Sequence, residues 1–256
     1  MKAIYFIAGL LLSGEAWAQQ QSGRVVYEFN RQMMLQNDQA PPQTRTHVLK
    51  LEVLFGNNQM LRRALEENLP PDPGNDNAGI QFHFSLGDDN ITWVSFTEGR
   101  KVDQREFATK QYLITDSIHK LNWKLTGQTR NILGYACQQA VATRPGKRSM
   151  ISMENGVMSR KDVPDTSNIL VWFTPAIPVS AGPDLEGQLP GLVLQIDING
   201  NTTYKAVEVS PKVDLAAIKE PQKGKKVSAD EFSKERDKTM EDMQRNGGRR
   251  VMRIGN

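Results

Sequence analysis

Few residues of this chain have side chains suited to catalysis. The 256 residues include three histidines, His47, His83 and His119, and a single cysteine, Cys137. A catalytic thiol needs a nearby base that lowers its pKa, and no histidine lies close to Cys137 in the sequence. HExxH, GxSxG and glycine-rich phosphate-loop motifs are absent. The sequence therefore predicts a protein that is not an enzyme and has no cofactor, with Cys137 as a small buried residue.

Three methionines form the second group with possible chemistry. Met150, Met153 and Met158 lie in segment 144–167, which has no clear period and is predicted to be a surface loop. Thioether sulfur is a soft ligand that favours Cu(I), so copper handling is an alternative function. The other interpretation is that these flexible side chains cover a sheet edge. Because basic residues surround the three methionines, we expect no high-affinity copper site.

The N terminus has the three parts of a secretory signal peptide. Lys2 supplies a positive charge, residues 4–12 are apolar, and Ala16-Trp17-Ala18 is a small-x-small cleavage site. The apolar run is shorter than the roughly 20 residues that a membrane-spanning helix needs, and no later stretch is long enough. We predict a signal peptide over 1–18 and a mature chain without a transmembrane segment, located in the periplasm or associated with the outer membrane.

The elements that position the remaining residues are predicted to be strands. Apolar and polar residues alternate with period 2 in several segments spaced at about ten residues, with no βαβ rhythm. This pattern predicts a mainly β fold over 19–211, an antiparallel sheet arranged as a sandwich or half-barrel. Residues 59–68 fit a strand or a short helix, and we prefer the strand. The other segments are 24–30, 47–55, 80–85, 91–97, 110–115 and 121–126.

The clearest hairpin lies near the end of this domain. Asn199-Gly200 favours a type I′ turn, because both central residues of that turn need positive φ. It separates two alternating segments, 192–198 and 202–209. We expect the four apolar residues of the first segment to face the core. They are Leu192, Leu194, Ile196 and Ile198.

The segment 212–256 is predicted to be a charged helix followed by a basic tail. Ser228 and Glu231 have the spacing of a capping box, and the helix should run to about Arg245. The tail is either solvated or contacts anionic lipid headgroups or an acidic partner. Its basic residues are Arg249, Arg250 and Arg253. The net charge of the whole chain is only +3, which argues against nucleic-acid binding.

Four motifs in order carry a resemblance to a known family. They are LNWKLT (121–126), ILGYACQQA (132–140), WFTPAIPVSAGP (172–183) and LPGLVL (189–194). With these motifs the chain resembles the GLPGLI family, secreted proteins of one group of Gram-negative bacteria whose function is unknown. Gln188 stands where the name motif has its first glycine, and Val193 replaces the isoleucine. The resemblance implies an envelope location and a β-rich fold, and it supplies no catalytic residues.

The prolines and glycines of these motifs have a structural explanation, since they suit a chain that leaves a strand, turns and re-enters a sheet. The alternative is a rigid ligand-facing loop that presents Trp172, Phe173 and Asp184. We predict a non-enzymatic binding domain, whose partner is an envelope protein or a small apolar ligand.

Overall fold

The computed structural model describes residues 20–37, 40–65, 90–154 and 157–247. It describes the backbone alone at 33–37, 40–45, 148–154, 157–162 and 243–247. The described part is mostly strand with one C-terminal helix, which confirms the predicted mainly β class. The predicted strand 80–85 and the basic residues Arg249, Arg250 and Arg253 lie outside the described residues.

Twelve strands, a 3-10 helix and one α-helix make up the described chain. They are β1 (Gly23–Asn37), β2 (Ala40–Gly56), β3 (Gln59–Ala64), β4 (Ile91–Ser95), β5 (Arg100–Phe107), β6 (Lys110–Ser117), β7 (Lys124–Ile132), β8 (Tyr135–Glu154), β9 (Val157–Thr174), β10 (Leu192–Ile198), β11 (Thr202–Ser210), the 3-10 helix (Leu215–Ala217), β12 (Lys225–Ser228) and α1 (Ala229–Gly247).

All twelve strands form one large mixed sheet, which is not closed into a barrel. Their order is β12-β6-β5-β4-β3-β2-β1-β11-β10-β9-β8-β7. Neighbours are antiparallel except β12, which runs parallel to β6. Most antiparallel neighbours that follow one another in sequence are joined by short turns, except β3–β4 and β9–β10, so the sheet consists of two runs of sequential strands. Within the described chain, the strands at the two ends of the sheet are β12 and β7.

In four hairpins the turn contains two consecutive residues with positive φ, the geometry of a type I′ turn, and in the last of them Asn201 is a third residue between the paired Ile198 and Thr202. The turns are Asn57–Asn58, Ala108–Thr109, Leu133–Gly134 and Asn199–Gly200. The predicted hairpin at Asn199-Gly200 is thereby confirmed, with φ of 54° and 69° at its two residues. Asparagine and glycine tolerate this conformation, whereas leucine at φ 52° is strained.

The apolar alternation of β10 is broken by a bulge. All four predicted core residues of this strand are buried, which confirms the expectation. Leu192 and Leu194 nevertheless pack in a different cluster from Ile196 and Ile198. The pairing with β9 shifts by one residue before Gln195, and a one-residue insertion turns the following side chains to the other face.

Three main apolar clusters stabilise the sheet. The first is centred on β1, β2 and β3 and includes Leu192. The second combines β8, β9 and β10 with Leu185 and Leu189 of segment 175–191, hereafter the 175–191 loop. The third is closed by Ile218, just after the 3-10 helix. Leu121 and Trp123, predicted to begin a strand, instead pack beside the second cluster, and β7 starts at Lys124.

The prediction of a loop over 144–167 is wrong. β8 and β9 pair across this whole segment, from Arg144 opposite Ser167 to Glu154 opposite Val157. In the described chain these stretches pair only with each other, as a two-stranded ribbon that extends beyond the sheet. A ribbon of this kind covers no core, so it needs no apolar alternation, which is why the periodic pattern is missing.

The C-terminal helix begins as predicted. The backbone N–H of Ser228 donates to Glu231 Oε2 at 2.8 Å, and Glu231 N–H donates to Ser228 Oγ at 3.2 Å, which is a complete capping box. Phe232 of α1 contacts the rings of Phe107 and Tyr112. The helix therefore docks on the sheet beside β6.

Candidate binding surface

The structure does not bring Trp172, Phe173 and Asp184 together. Trp172 and Phe173 follow each other in β9, so their side chains lie on opposite faces of the sheet. They are 7% and 1% exposed and belong to the first and the second apolar cluster. Asp184 is half-buried in the 175–191 loop, where its Oδ2 lies 3.4 Å from Arg144 Nη1. The first two residues therefore act mainly in packing.

Trp172 is shielded from solvent by an arginine of β7, two strands away in the sheet. The guanidinium carbon of Arg130 lies 4.2 Å from the centroid of the Trp172 ring. Arg130 also donates a hydrogen bond to Gln195 Oε1. A cation over an indole ring stabilises by about 0.5–1 kcal/mol at an exposed site. Arg130 thus links β7 to β9 and β10 and covers the aromatic ring that sequence reasoning proposed for a ligand.

Gln188 anchors the 175–191 loop. Its side-chain oxygen accepts hydrogen bonds from the backbone N–H of Leu121 at 3.0 Å and from Trp123 Nε1 at 3.1 Å. The glycine that the GLPGLI name motif has at this position has no side chain to accept them. The departure from the motif therefore provides a specific contact between the loop and the segment before β7.

A buried ionic cluster fixes the other side of this loop. Arg62 donates to the carbonyl of Pro183 and to Thr92 Oγ1, the latter at 2.7 Å, and lies 3.5 Å from Glu186 Oε1. Thr92 Oγ1 in turn donates to Asp103 Oδ1 at 2.6 Å. These contacts join β3, β4 and β5 to the loop.

The electrostatics of the cluster follow from burial. Burial raises the pKa of Glu186, an effect that the neighbouring Arg62 opposes. Burial also raises the pKa of Asp103, but Lys101, Arg105 and Arg62 outweigh it and hold that pKa below its usual range. Because Arg62 contacts both Pro183 and Glu186 of the loop and is joined to Asp103 through Thr92, this cluster serves to hold the loop in place.

Sequence reasoning missed this cluster, although one signal was available. In β3, Arg62 occupies the same face as Met60, which is fully buried. A charged residue at an inward position of a strand needs a buried partner of opposite charge. The partner itself, Glu186, is 124 residues away in the chain, so the alternation within β3 does not identify it.

Cys137 is buried, as predicted. Its Sγ lies 3.4 Å from the carbonyl oxygen of Tyr135. Burial raises the pKa of the thiol although Arg130 opposes the shift, so the reactive thiolate is disfavoured. Among the described residues, no three His, Cys, Asp or Glu side chains are grouped so that they could hold a metal ion.

The three methionines of the alternative copper site lie on the β8–β9 ribbon. Met153 and Met158 are cross-strand partners, and Met150 is opposite Lys161. The side chains of Met150, Met153 and Met158 lie outside the described part of the structure.

At one end of the sheet in the described chain lies β7, and we define the β7 edge as residues 124–134, that is β7 and its turn to β8. The side chains of β7 are exposed from Lys124 to Asn131 on both faces of the sheet. Leu125 is 59% exposed, and Leu133 in the turn is 47% exposed. In the described chain β8 is the one strand that pairs with β7.

The backbone of β7 is regular only over its last residues. A bulge interrupts the pairing between Leu125 and Thr129, with Gly127 at φ 79° inside it. After the bulge the two-residue turn makes Ile132 opposite Tyr135 a hydrogen-bonded pair. Since such pairs alternate along antiparallel strands, the N–H and C=O groups of Thr129 and Asn131 lie on the side away from β8.

The β7 edge lies in a stretch with charge of one sign. Residues 117–153 contain six lysines and arginines and no aspartate or glutamate. Arg130 and Lys124 are on β7 itself, and three others follow on β8. The six are Lys120, Lys124, Arg130, Arg144, Lys147 and Arg148.

Comparison with known proteins gives a family match and several structural matches. The sequence pattern of a family described as "Protein of unknown function (Porph_ging)" matches residues 123–195. This region overlaps all four motifs of the GLPGLI resemblance. No curated protein sequence matches the chain.

Two of the structural matches are crystal forms of PNGF-II. The form in space group P21 is 16% identical, with a TM-score of 0.50 over 84% of this chain and 33% of that one. The C2 form is 17% identical, with a TM-score of 0.47 over 82% and 32%. The chain thus spans about a third of the length of PNGF-II, and at this identity the likeness to the P21 form concerns the fold alone. In the described part of the chain, no helix is both long and apolar enough to cross a membrane.

Proposed function

We propose that this chain is an exported envelope protein that binds a partner protein through the β7 edge and catalyses no reaction. The observation that carries the proposal is the β7 edge itself, where outward backbone groups lie beside the exposed side chains of Leu125 and Leu133. Uncovered edge strands are templates for pairing with another chain. Large exposed apolar side chains beside such an edge supply contact area for a partner.

Export is supported by the sequence features of residues 1–18. The GLPGLI-type assignment is supported by the overlap between its four motifs and the family match over residues 123–195. Both properties suit a protein that works in the envelope by contact with another protein.

A protein partner is favoured over a small apolar ligand by the state of the 175–191 loop. Leu185 and Leu189 of this loop are buried in the second cluster, and Arg62 and Gln188 hold its two sides. A ligand loop would instead border an apolar concavity. The loop therefore supports the β7 side of the sheet, and the accessible surface is the edge.

Site-specific photo-crosslinking in the native host tests this function. A photoreactive residue at Leu133 should give an adduct with one envelope protein. The matched control is Leu215 of the 3-10 helix, which is also an exposed leucine, at 41%, but lies against β2. Adducts that are absent from Leu133, or that are the same from both positions, would contradict the proposal.

A further inference from the structure

We infer that the β7 edge binds an extended acidic segment of its partner as an added strand. This inference rests on the proposed function and specifies the chemistry of the partner. Strand addition draws affinity from backbone hydrogen bonds and specificity from side chains on either side of the strand. Both contributions are present at the β7 edge.

The backbone contribution comes from Thr129 and Asn131. Their outward N–H and C=O groups provide two donors and two acceptors in regular strand geometry. The bulge before Thr129 ends regular pairing on one side, and the turn at Leu133 ends it on the other. The added strand therefore pairs along four residues, 129–132.

The charge contribution selects the partner. Lys124 and Arg130 lie on β7, and no carboxylate occurs in residues 117–153 to neutralise them. A segment with glutamate or aspartate places opposite charges across the new strand pair, which is stabilising. A second copy of this chain would instead place its own Lys124 and Arg130 beside the same residues, which is destabilising. The charges therefore favour an acidic partner over self-association.

Leu133 adds an apolar contact at the end of the paired stretch. Its φ of 52° costs free energy that asparagine or glycine would avoid. Since its side chain is nearly half exposed, packing within the chain offsets little of that strain. Contact with a partner residue would offset it.

The test measures binding of a labelled ten-residue peptide that alternates glutamate and valine to the mature chain, by fluorescence anisotropy. The expected result is saturable binding that weakens at least tenfold when glutamine replaces glutamate in the peptide. Equal affinity for the two peptides, or no binding, would overturn the inference.

Three variants connect the binding to the β7 edge. Thr129→Pro removes an outward N–H and should weaken binding at least tenfold while the far-UV circular dichroism stays unchanged. Lys124 lies before the paired stretch, but a ten-residue peptide is long enough to extend past it, so Lys124→Glu should weaken binding through charge repulsion. The matched control Lys226→Glu replaces an exposed lysine on the opposite edge strand β12 and should change the affinity less than twofold. Equal effects of the two lysine variants would overturn the inference even where Thr129→Pro fails to fold.

Two further outcomes identify other occupants. A dimer of the mature chain in sedimentation equilibrium that Thr129→Pro dissociates would replace the acidic partner by a second copy. Segment 66–89 of the chain has six acidic residues and no lysine or arginine. If neutralising these carboxylates strengthens peptide binding tenfold, this segment is the occupant and the inference fails.

A crosslinked partner at Leu133 without peptide binding would refute only the inference, and peptide binding without a crosslinked partner would refute only the proposed function.

Discussion

The two ends of the sheet differ in how far other parts of the chain cover them. At one end, β12 pairs with β6, and Val227 packs against Tyr112 and Ile114. Helix α1 adds Phe232 to the same cluster. At the other end, β7 has no such cover in the described chain, and nearly all of its side chains are exposed.

The difference shows two solutions to one problem, since unpaired strand edges promote aggregation. The β6 edge is covered by the C-terminal segment of the chain. The β7 edge is protected by a bulge and by positive charge, which obstruct nonspecific pairing and leave a short regular stretch accessible. A covered edge cannot receive a partner without displacement of its cover, whereas a protected edge selects partners by charge.

The largest expected change in stability comes from a substitution of Gly224, just before β12. At φ 138° an added Cβ would lie 2.9 Å from the Tyr112 carbonyl carbon and 3.0 Å from backbone atoms of Gln111. We expect Gly224→Ala to lower the free energy of unfolding by about 2–3 kcal/mol, because both conformational strain and a backbone clash oppose docking of β12. Urea denaturation measures the change.

The matched control for this prediction is Gly134→Ala at the β7 edge. Gly134 also has positive φ, 87°, but no atom of the described residues lies within 4 Å of the position that an added Cβ would take. The expected cost is about 1 kcal/mol, from strain alone. Equal costs at the two glycines would show that β12 does not depend on close contact with β6.

A substitution of Leu133 is expected to raise the stability, whereas the glycine substitutions lower it. Leu133→Asn should raise the free energy of unfolding by about 0.5–1 kcal/mol, because asparagine tolerates positive φ. The same urea measurement detects the gain, and Asn57→Leu in the β2–β3 turn should show a loss of similar size. A stability loss in Leu133→Asn would mean that this leucine serves the folded chain rather than a partner.

The smallest expected effect is the pH dependence of stability where β12 covers β6. Two hydrogen bonds from Arg100, at 2.8 and 2.7 Å, lower the pKa of Glu220 in the segment that leads to β12. Hydrogen bonds from Ser228 lower the pKa of Glu231, and Lys225 lowers that of Glu235. A lowered carboxyl pKa adds stability above the usual glutamate pKa, and this stability is lost as the pH falls through the lowered value.

Hydrogen exchange at β6 should therefore become faster, after correction for intrinsic rates, when the pH falls from 6 to about 3. The β7 and β8 residues within 117–153, which include no carboxylate, should show a weaker response. Glu220→Gln should reduce the pH dependence at β6. Identical responses at both edges would remove the distinction between them.

The parts of the fold predicted from sequence are those set by local signals. Asn199-Gly200 closes its hairpin because both residues accept positive φ, and Ser228 with Glu231 starts α1 through contacts three residues apart. The preference for a strand over 59–68 is confirmed for residues 59–64. Each of these outcomes depends on neighbours in the chain.

The missed parts depend on distant contacts. β5 shows no apolar alternation because it contributes Asp103 to the ionic cluster, where Thr92 donates to Asp103 and itself accepts from Arg62. β12 has one buried residue, Val227, and exists through its pairing with β6. The positive charge over 117–153 can be read from the sequence. The position of β7 at the end of the sheet cannot, because it depends on how distant strands pair.

The position of β12 in the chain has a consequence for folding. Its pairing with β6 joins residues more than a hundred positions apart, from Lys225 opposite Tyr112 to Ser228 opposite Thr115. Contacts of such sequence separation form slowly, because a long loop must close first. During synthesis β6 emerges well before the C-terminal segment that covers it, so the edge that is closed in the finished protein is open and prone to aggregation for an interval. The C-terminal segment thus acts as a late closure step.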